Sequence, residues 1–385
     1  MWSVRKINII VVTSVIFGTT CSIFRVHFYK VVLGNATFLS SIKRHTFSLE
    51  HPPSNRSLVI LTGELRSGEQ AWTSLYRNLL DPNSADLALM IENPLKSLYP
   101  NSTLLDRAKY KWFFEDYKDW GDAVDLINGT SWRATHLTAF KSLNQWCILF
   151  GGIEDFDGSA IIIFMIRWFL ANNIMESDIL NRYDTFVVTR TDHFYQCPHY
   201  FTRLDYSNNT VWVPEGEEYG GYTDRYYAIS KNNLLVSLDI IERLFREPFE
   251  HDYDKHANSE RFTKYVWDSN GFNVKSFPRV MFTTASKYDS SRWMQGHGEV
   301  RGVPNLLHKY KKEFTLTQDN CPPISNPKCE VGILDSTKVY CCLESCGVCG
   351  AQDCETRQGG KKGCCTTSIQ KKAKPCDANV APCLL

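Results

Sequence analysis

The chain has 385 residues, 43% of them hydrophobic and 13% aromatic, and a formal net charge of +1. Balanced charge excludes a nucleic-acid binder steered by a basic field, and the aromatic content suits a packed core rather than disorder. The length accommodates one large domain or two of ordinary size.

Cysteine is spread unevenly: only Cys21, Cys147 and Cys197 precede residue 321, while eleven lie between Cys321 and Cys383. Such density in a short tail signals a disulfide scaffold in an oxidising compartment. The amino terminus agrees. Ile7 to Phe24 is an uncharged, mostly apolar run of 18 residues behind Arg5 and Lys6, at the short limit for a membrane span. A cleaved signal peptide, with Gly18, Thr19 and Thr20 near the cut, is the alternative. Five N-x-[ST] sequons, at Asn35, Asn55, Asn101, Asn128 and Asn208, make sense only on the lumenal side. Together these favour a single-pass type II protein of the Golgi or endoplasmic reticulum membrane. The expected layout is a cytoplasmic tail over 1–6, a signal anchor over 7–24 and a stem over 25–56 that contains His51-Pro52-Pro53.

The body, expected over 57–308, begins with an apolar strand, Ser57 to Thr62, and a loop from Gly63 to Gly68. Trp72, Leu75 and Leu79 recur at helical spacing and predict a helix closing at Asp81-Pro82. Asp86 to Ile91 predicts a second strand, so the start reads as one β-α-β unit of a parallel sheet. Asn101 to Trp132 shows no assignable element. Ala134 to Phe150 is predicted helical, and Ser159 to Met175 is predicted to be a helix buried on most faces, with Arg167 paired or reaching to solvent.

Thr185 to Thr189 predicts a buried strand, and the cluster Arg190, Thr191, Asp192, His193 follows it at once. In open α/β sheets ligands lie beyond the carboxyl ends of strands, which makes that cluster a candidate site. Strands are predicted at Thr210 to Val213 and Tyr226 to Ser230, separated by a glycine-containing turn that ends in Asp224-Arg225. A helix capped by Asn232 or Asn233 runs to about Phe245, a polar loop spans Glu247 to Asn258, and a helix spans Ser259 to Asp268. Asn273 to Phe277 predicts a last strand, a linker of lysines and prolines runs from Lys309 to Pro323, its first part, 309–320, preceding the module, and 321–385 is a cysteine-rich module. No histidine follows Cys321, so Cys346 and Cys349 point to disulfides rather than zinc. Eleven is odd, leaving one cysteine for Cys147, Cys197 or another chain. His193, His199, His251, His256 and His297 match no compact ligand spacing, and no G-x-S-x-G elbow supports a hydrolase.

The segments VILTGELRSGEQAW, YDTFVVTRTDHFY, YGGYTDRYYAIS and NSERFTKYVWDSNGFNVKSF resemble successive landmarks of a group of nucleotide-sugar glycosyltransferases of the GT-A kind. The resemblance spans roughly Ser57 to Phe282 and implies an α/β, Rossmann-like nucleotide-diphospho-sugar transferase domain. Residue by residue, Gly63, Glu64 and Arg66 match the first loop, and Arg190 and Asp192 the strand end where a D-x-D motif binds metal. Gly220, Gly221, Asp224 and Arg225 match a G-G-x-x-D-R turn, and Glu260 a late acid. The implied donor contacts are Gly63, Glu64, Arg66, Arg190, Gly220, Gly221 and Arg225. Asp192 would hold Mn²⁺ or Mg²⁺, which prefer hard oxygen ligands. Asp224 and Glu260 are the candidates for taking a proton from the acceptor hydroxyl or stabilising an oxocarbenium-like centre. Arg190 replaces the first acid of the metal motif and could itself neutralise phosphate. The implied partners are a nucleotide-sugar donor, a glycan or glycoprotein acceptor and the membrane. A non-catalytic carbohydrate-binding membrane or surface glycoprotein is the alternative. The tail resembles cysteine-rich modules appended to secreted and membrane proteins of unicellular algae.

Overall fold

The computed structural model describes residues 56–137, 148–154, 156–246, 257–289, 296–300, 302–321, 332–335 and 338–340. The predicted tail, anchor, nearly all of the stem and most of the cysteine-rich module lie outside them. Among the described residues no helix is long and apolar enough to cross a membrane.

The chain folds as β1 (Ser57–Gly63), α1 (Glu69–Leu75), β2 (Asp86–Glu92), α2 (Thr103–Arg107), β3 (Tyr110–Phe114), α3 (Gly121–Asn128), α4 (Ala160–Met175), α5 (Ile179–Arg182) and β4 (Thr185–Arg190). It continues through β5 (His193–Tyr195), β6 (Thr210–Pro214), β7 (Tyr226–Ser230), α6 (Lys231–Leu238), α7 (Ile241–Arg246), α8 (Ser259–Ser269), β8 (Asn273–Phe277), β9 (Met281–Ser286), β10 (Gly298–Glu299), β11 (Leu306–His308) and α9 (Lys311–Asn320). A short hairpin, β12 (Gly332–Asp335) and β13 (Lys338–Tyr340), follows. The architecture is α/β. A seven-stranded mixed sheet has the order β3-β2-β1-β4-β7-β6-β8, and a smaller sheet the order β10-β11-β9-β5.

β1 lies parallel to both β2 and β4, as the β-α-β reading expects. Its run SLVILT lacks alternation because both faces are covered. Leu58 and Ile60 pack into one apolar cluster and Val59 and Leu61 into another. α4 belongs to the first cluster. It is apolar around its whole circumference, which only a buried helix tolerates, and it packs on β1, β3, α6 and α7.

Several elements depart from expectation. The unassigned stretch holds α2, β3 and α3, whose aromatic and charged side chains alternate in and out and blur the period. Of the helix predicted over Ala134 to Phe150, the described residues show one helical turn, Arg133–Leu137, and Leu149 and Phe150 in turns, while 138–147 fall outside the described residues. The helix predicted through Phe245 begins at Lys231, without a side-chain cap, and breaks between α6 and α7. β8 is not the last strand, since β9, β10 and β11 build the second sheet.

The largest correction concerns the linker over 309–320. It is α9, packed on β9, with Glu313 and Thr317 buried. Only Phe314 and Leu316 among its ten residues are apolar, so burial carried by polar side chains left no hydrophobic period to detect. Cys321 ends this helix and bonds Cys197, with Cα atoms 5.7 Å apart. The body therefore reaches Cys321 rather than residue 308. A chain ending just after Cys321 is expected to keep the body's thermal midpoint. One ending at His308 is expected not to fold, because Arg225 and Arg279 lose their shared counter-ion Glu313. Thermal unfolding of the two truncations, monitored by circular dichroism, checks this. Equal behaviour would restore the earlier boundary.

Candidate active site

In the order β3-β2-β1-β4, the chain turns from one side of the sheet to the other between β1 and β4. A crevice opens there beyond the carboxyl ends of the strands. Gly63 ends β1 at φ +104°, a conformation that side chains other than glycine rarely adopt. The following loop folds back, so that Arg66 Nε donates to Glu64 at 2.8 Å. At the end of β4 the chain leaves the large sheet, turns through Thr191 and Asp192, and enters β5 of the small one. This turn is pinned on two sides: Trp72 Nε1 donates to the Thr191 carbonyl at 3.0 Å and Thr284 N to the Asp192 carbonyl at 2.7 Å. The Thr191 hydroxyl ties it to the Glu64 carbonyl.

Arg190 grips Asp192 with both forks, Nε to Oδ1 at 2.8 Å and Nη2 to Oδ2 at 2.6 Å. Burial alone would raise the Asp192 pKa. Arg190, with Lys309 and Arg66 behind it, holds the group well below the usual carboxylate range. As it stands the carboxylate does not suit Mn²⁺ or Mg²⁺, since its charge is already matched by Arg190 at both oxygens and further cations surround it. Among the described residues no group of three or more histidines, cysteines, aspartates or glutamates could hold a metal ion.

The other wall comes from the turn before β7 and the start of α8. Glu260, in the first turn of α8, is buried, and burial together with the nearby Asp224 raises its pKa to about 7, against the opposing pull of Arg225. Ser259 Oγ donates to it at 3.0 Å. Among the described residues nothing hydrogen-bonds or ion-pairs with the Asp224 carboxylate. Arg225 is buried and divides its charge, with Nη1 3.2 Å from Glu313 and Nη2 3.5 Å from Glu260. The rings of Tyr310 and Tyr219 lie 4.3 and 5.3 Å from it.

Of the residues singled out from sequence, Gly63, Glu64, Arg66, Arg190, Asp192, Asp224, Arg225 and Glu260 all line this one cleft. Gly220 and Gly221 do not. A Cβ on Gly221 would come within 2.0 Å of the Glu260 carbonyl oxygen, so these glycines let the turn seat against α8 and position Glu260. Tyr222 N then donates to that carbonyl at 3.1 Å.

Sequence reasoning did not find Lys309 and Tyr310, which enter the cleft from the supposed linker, or the apolar wall of Phe114, Trp120, Ile162 and Ile163. Lys309 is buried, and burial lowers its pKa to about 8. Arg167 is also buried at the cleft rather than reaching to solvent. Its Nη2 donates to the Asp224 carbonyl at 2.8 Å and fixes that residue's backbone. Its isolation as the one charge in an apolar helix was the available signal.

Two buried histidines sit beneath the site. His193 bonds the Thr189 hydroxyl at 3.0 Å, and His199 stacks on Phe277 at 4.2 Å. Burial lowers their pKa values to about 4 and about 3. Unfolded, each takes up a proton near pH 6.5 (roughly). Their stabilisation is complete above that pH and falls as pH drops, by about 2 kcal/mol each between pH 7.5 and 5. Glu260 acts oppositely, because a raised carboxyl pKa favours the folded state as pH falls, by about 2–3 kcal/mol over that range. Glu260→Gln is therefore expected to lose about 2–3 kcal/mol more stability than the native protein from pH 7.5 to 5. Urea unfolding at the two pH values measures both. Equal losses would remove the raised Glu260 pKa.

Compared with family models and with curated proteins, the chain matches none.

Proposed function

We propose that this chain is a glycosyltransferase of the GT-A kind that moves a sugar from a nucleotide-diphosphate donor to a glycan or glycoprotein acceptor. One observation supports it most. Residues from four separated stretches meet in one crevice at the point where the strand order reverses, cations at the β1 and β4 ends and a carboxylate pair opposite. In this reading Arg66, Arg190 and Lys309 bind the diphosphate and stabilise the charge it gains on leaving. Fixed cations thus stand where a metal ion would otherwise be needed. Glu260 takes the proton from the acceptor hydroxyl as that oxygen bonds the sugar's anomeric carbon and the bond from that carbon to the phosphate oxygen breaks. A base poised near neutrality suits that step. Asp224 accepts from sugar hydroxyls, and the apolar wall excludes water.

The lumenal, membrane-anchored setting belongs to the same proposal. Asn101 and Asn208 are exposed and open to glycosylation, and the Cys197–Cys321 bond suits an oxidising lumen. A carbohydrate-binding protein without turnover is the second reading, favoured by the single acid left in the metal motif and by Arg190's hold on it. A panel of nucleotide sugars, assayed for release of nucleotide diphosphate with Mn²⁺ and with EDTA, separates them. Turnover of at least one donor that survives EDTA is expected. Binding without turnover of any donor selects the second reading, and turnover lost in EDTA overturns the fixed-cation mechanism.

A further inference from the structure

Behind Glu260 the buried charges continue into a chain, Arg225, Glu313 and Arg279, that the mechanism above leaves unused. Arg225 is shared by two carboxylates from distant stretches: Glu260 on α8 at 3.5 Å and Glu313 on α9 at 3.2 Å. Glu313 is the better anchored. It is wholly buried, Thr283 N donates to its Oε2 at 2.7 Å, and Arg279, also wholly buried, stands 3.2 Å away. We infer that Glu313 is a positioning residue: by holding Arg225 it limits that cation's grip on Glu260 and leaves Glu260 able to accept a proton. The catalytic half of the inference rests on the reading above; the electrostatic half does not.

The surrounding charges support the assignment. Glu260 faces Ser259 on its own helix and Asp224 and Arg225 on the turn before β7. Arg225 further faces Tyr219, Tyr310 and Lys309, and Glu313 faces Arg279 and His193. His193 stays neutral down to about pH 4, and Glu313 stays ionised down to about pH 2 under the pull of Arg279 and Arg225 against its burial. Between pH 5 and 8 (roughly), Glu260 is thus the one carboxyl of this cluster with a shifted pKa inside the window. Neutralising Glu313 leaves the whole charge of Arg225 to Glu260 and removes a like charge from its surroundings. Both changes favour ionised Glu260.

The test is the pH dependence of carbodiimide labelling at Glu260 in the full chain, read by mass spectrometry of the peptide that carries it. Only the protonated carboxyl reacts. In Glu313→Gln the labelling midpoint is expected to fall by about one pH unit or more. Should that variant not fold, Glu313→Asp keeps the charge but draws the carboxylate back from Arg225 and Arg279 alike, which share its Oε1, and a smaller fall is expected. An unmoved midpoint in a folded variant overturns the inference. If the midpoint moves while the acid limb of the transfer rate stays in place, the electrostatic link stands and Glu260's role as base is lost.

Discussion

Glu260→Gln is expected to lower turnover by about 10²- to 10⁴-fold while donor affinity stays near the native value, the usual contribution of a positioned base. The amide keeps the shape and one hydrogen-bond acceptor but cannot take the proton. Donor affinity is retained because the cations assigned to the diphosphate, Arg66 and Arg190 at the β1 and β4 ends and Lys309 after β11, come from other elements than α8 and are left unchanged. Asp224→Asn should behave differently. Its carboxylate is bonded to no described residue and is only partly buried, so it is free for sugar hydroxyls. Arg167 fixes the Asp224 backbone through its carbonyl, and the substitution leaves that bond intact. Weaker substrate binding together with slower turnover is expected. Steady-state kinetics of both variants decide the matter. Normal turnover in Glu260→Gln, with Asp224→Asn inactive and still binding donor, would exchange the two roles.

How much of this was readable in the chain depended on where apolar residues lie. β1, β2, β4 and β7 are unbroken apolar runs because both faces of the large sheet are covered, and each appears in the sequence within a residue or so of its observed limits. Their following loops were readable for the same reason: polar residues after such a run have few places to be except the strand ends. That is why Arg66, Arg190 and Asp192 fell into one cleft, while Asp224 joins them because it precedes β7, which runs antiparallel to β4. What escaped was burial by charge. Glu313, Arg279 and Arg225 form a closed ionic cluster, and no hydropathy pattern distinguishes such residues from a solvated linker. The direction of Arg225 also escaped. Its neighbour in sequence is Asp224, yet its guanidinium turns toward Glu313 and Glu260, contacts made across the fold that local sequence cannot carry. Likewise Gly220 and Gly221 read as ligand contacts, whereas close backbone approach to α8 is what requires the absence of a side chain at Gly221.

Asp192 marks the sharpest difference between the two levels of description. As a metal ligand it would be expendable for folding, and its loss would cost activity alone. As the buried partner of Arg190 it should not be. Asp192→Ala removes the only carboxylate among the described residues that Arg190 grips and leaves that guanidinium beside Lys309, Arg66 and Arg225. Removing one partner of a buried pair costs about 3–5 kcal/mol. Arg190 keeps a quarter of its side chain exposed, so water recovers part of the loss, and about 3 kcal/mol is the expected destabilisation. For a body of this size that lowers the thermal midpoint by about 6–12 °C. The pH dependence identifies the cause. A carboxyl held below its ordinary range stabilises the fold above its unfolded pKa of about 3.9, and the contribution fades as pH falls through the lowered value. Below the titration of Lys309, the gap between native protein and variant should therefore stay constant from about pH 6 to 5 and begin to narrow only below about pH 4. Calorimetry across that range measures it. A variant that loses transfer yet melts with the native protein would free the Asp192 carboxylate for a cation and remove the fixed-cation role from Arg190.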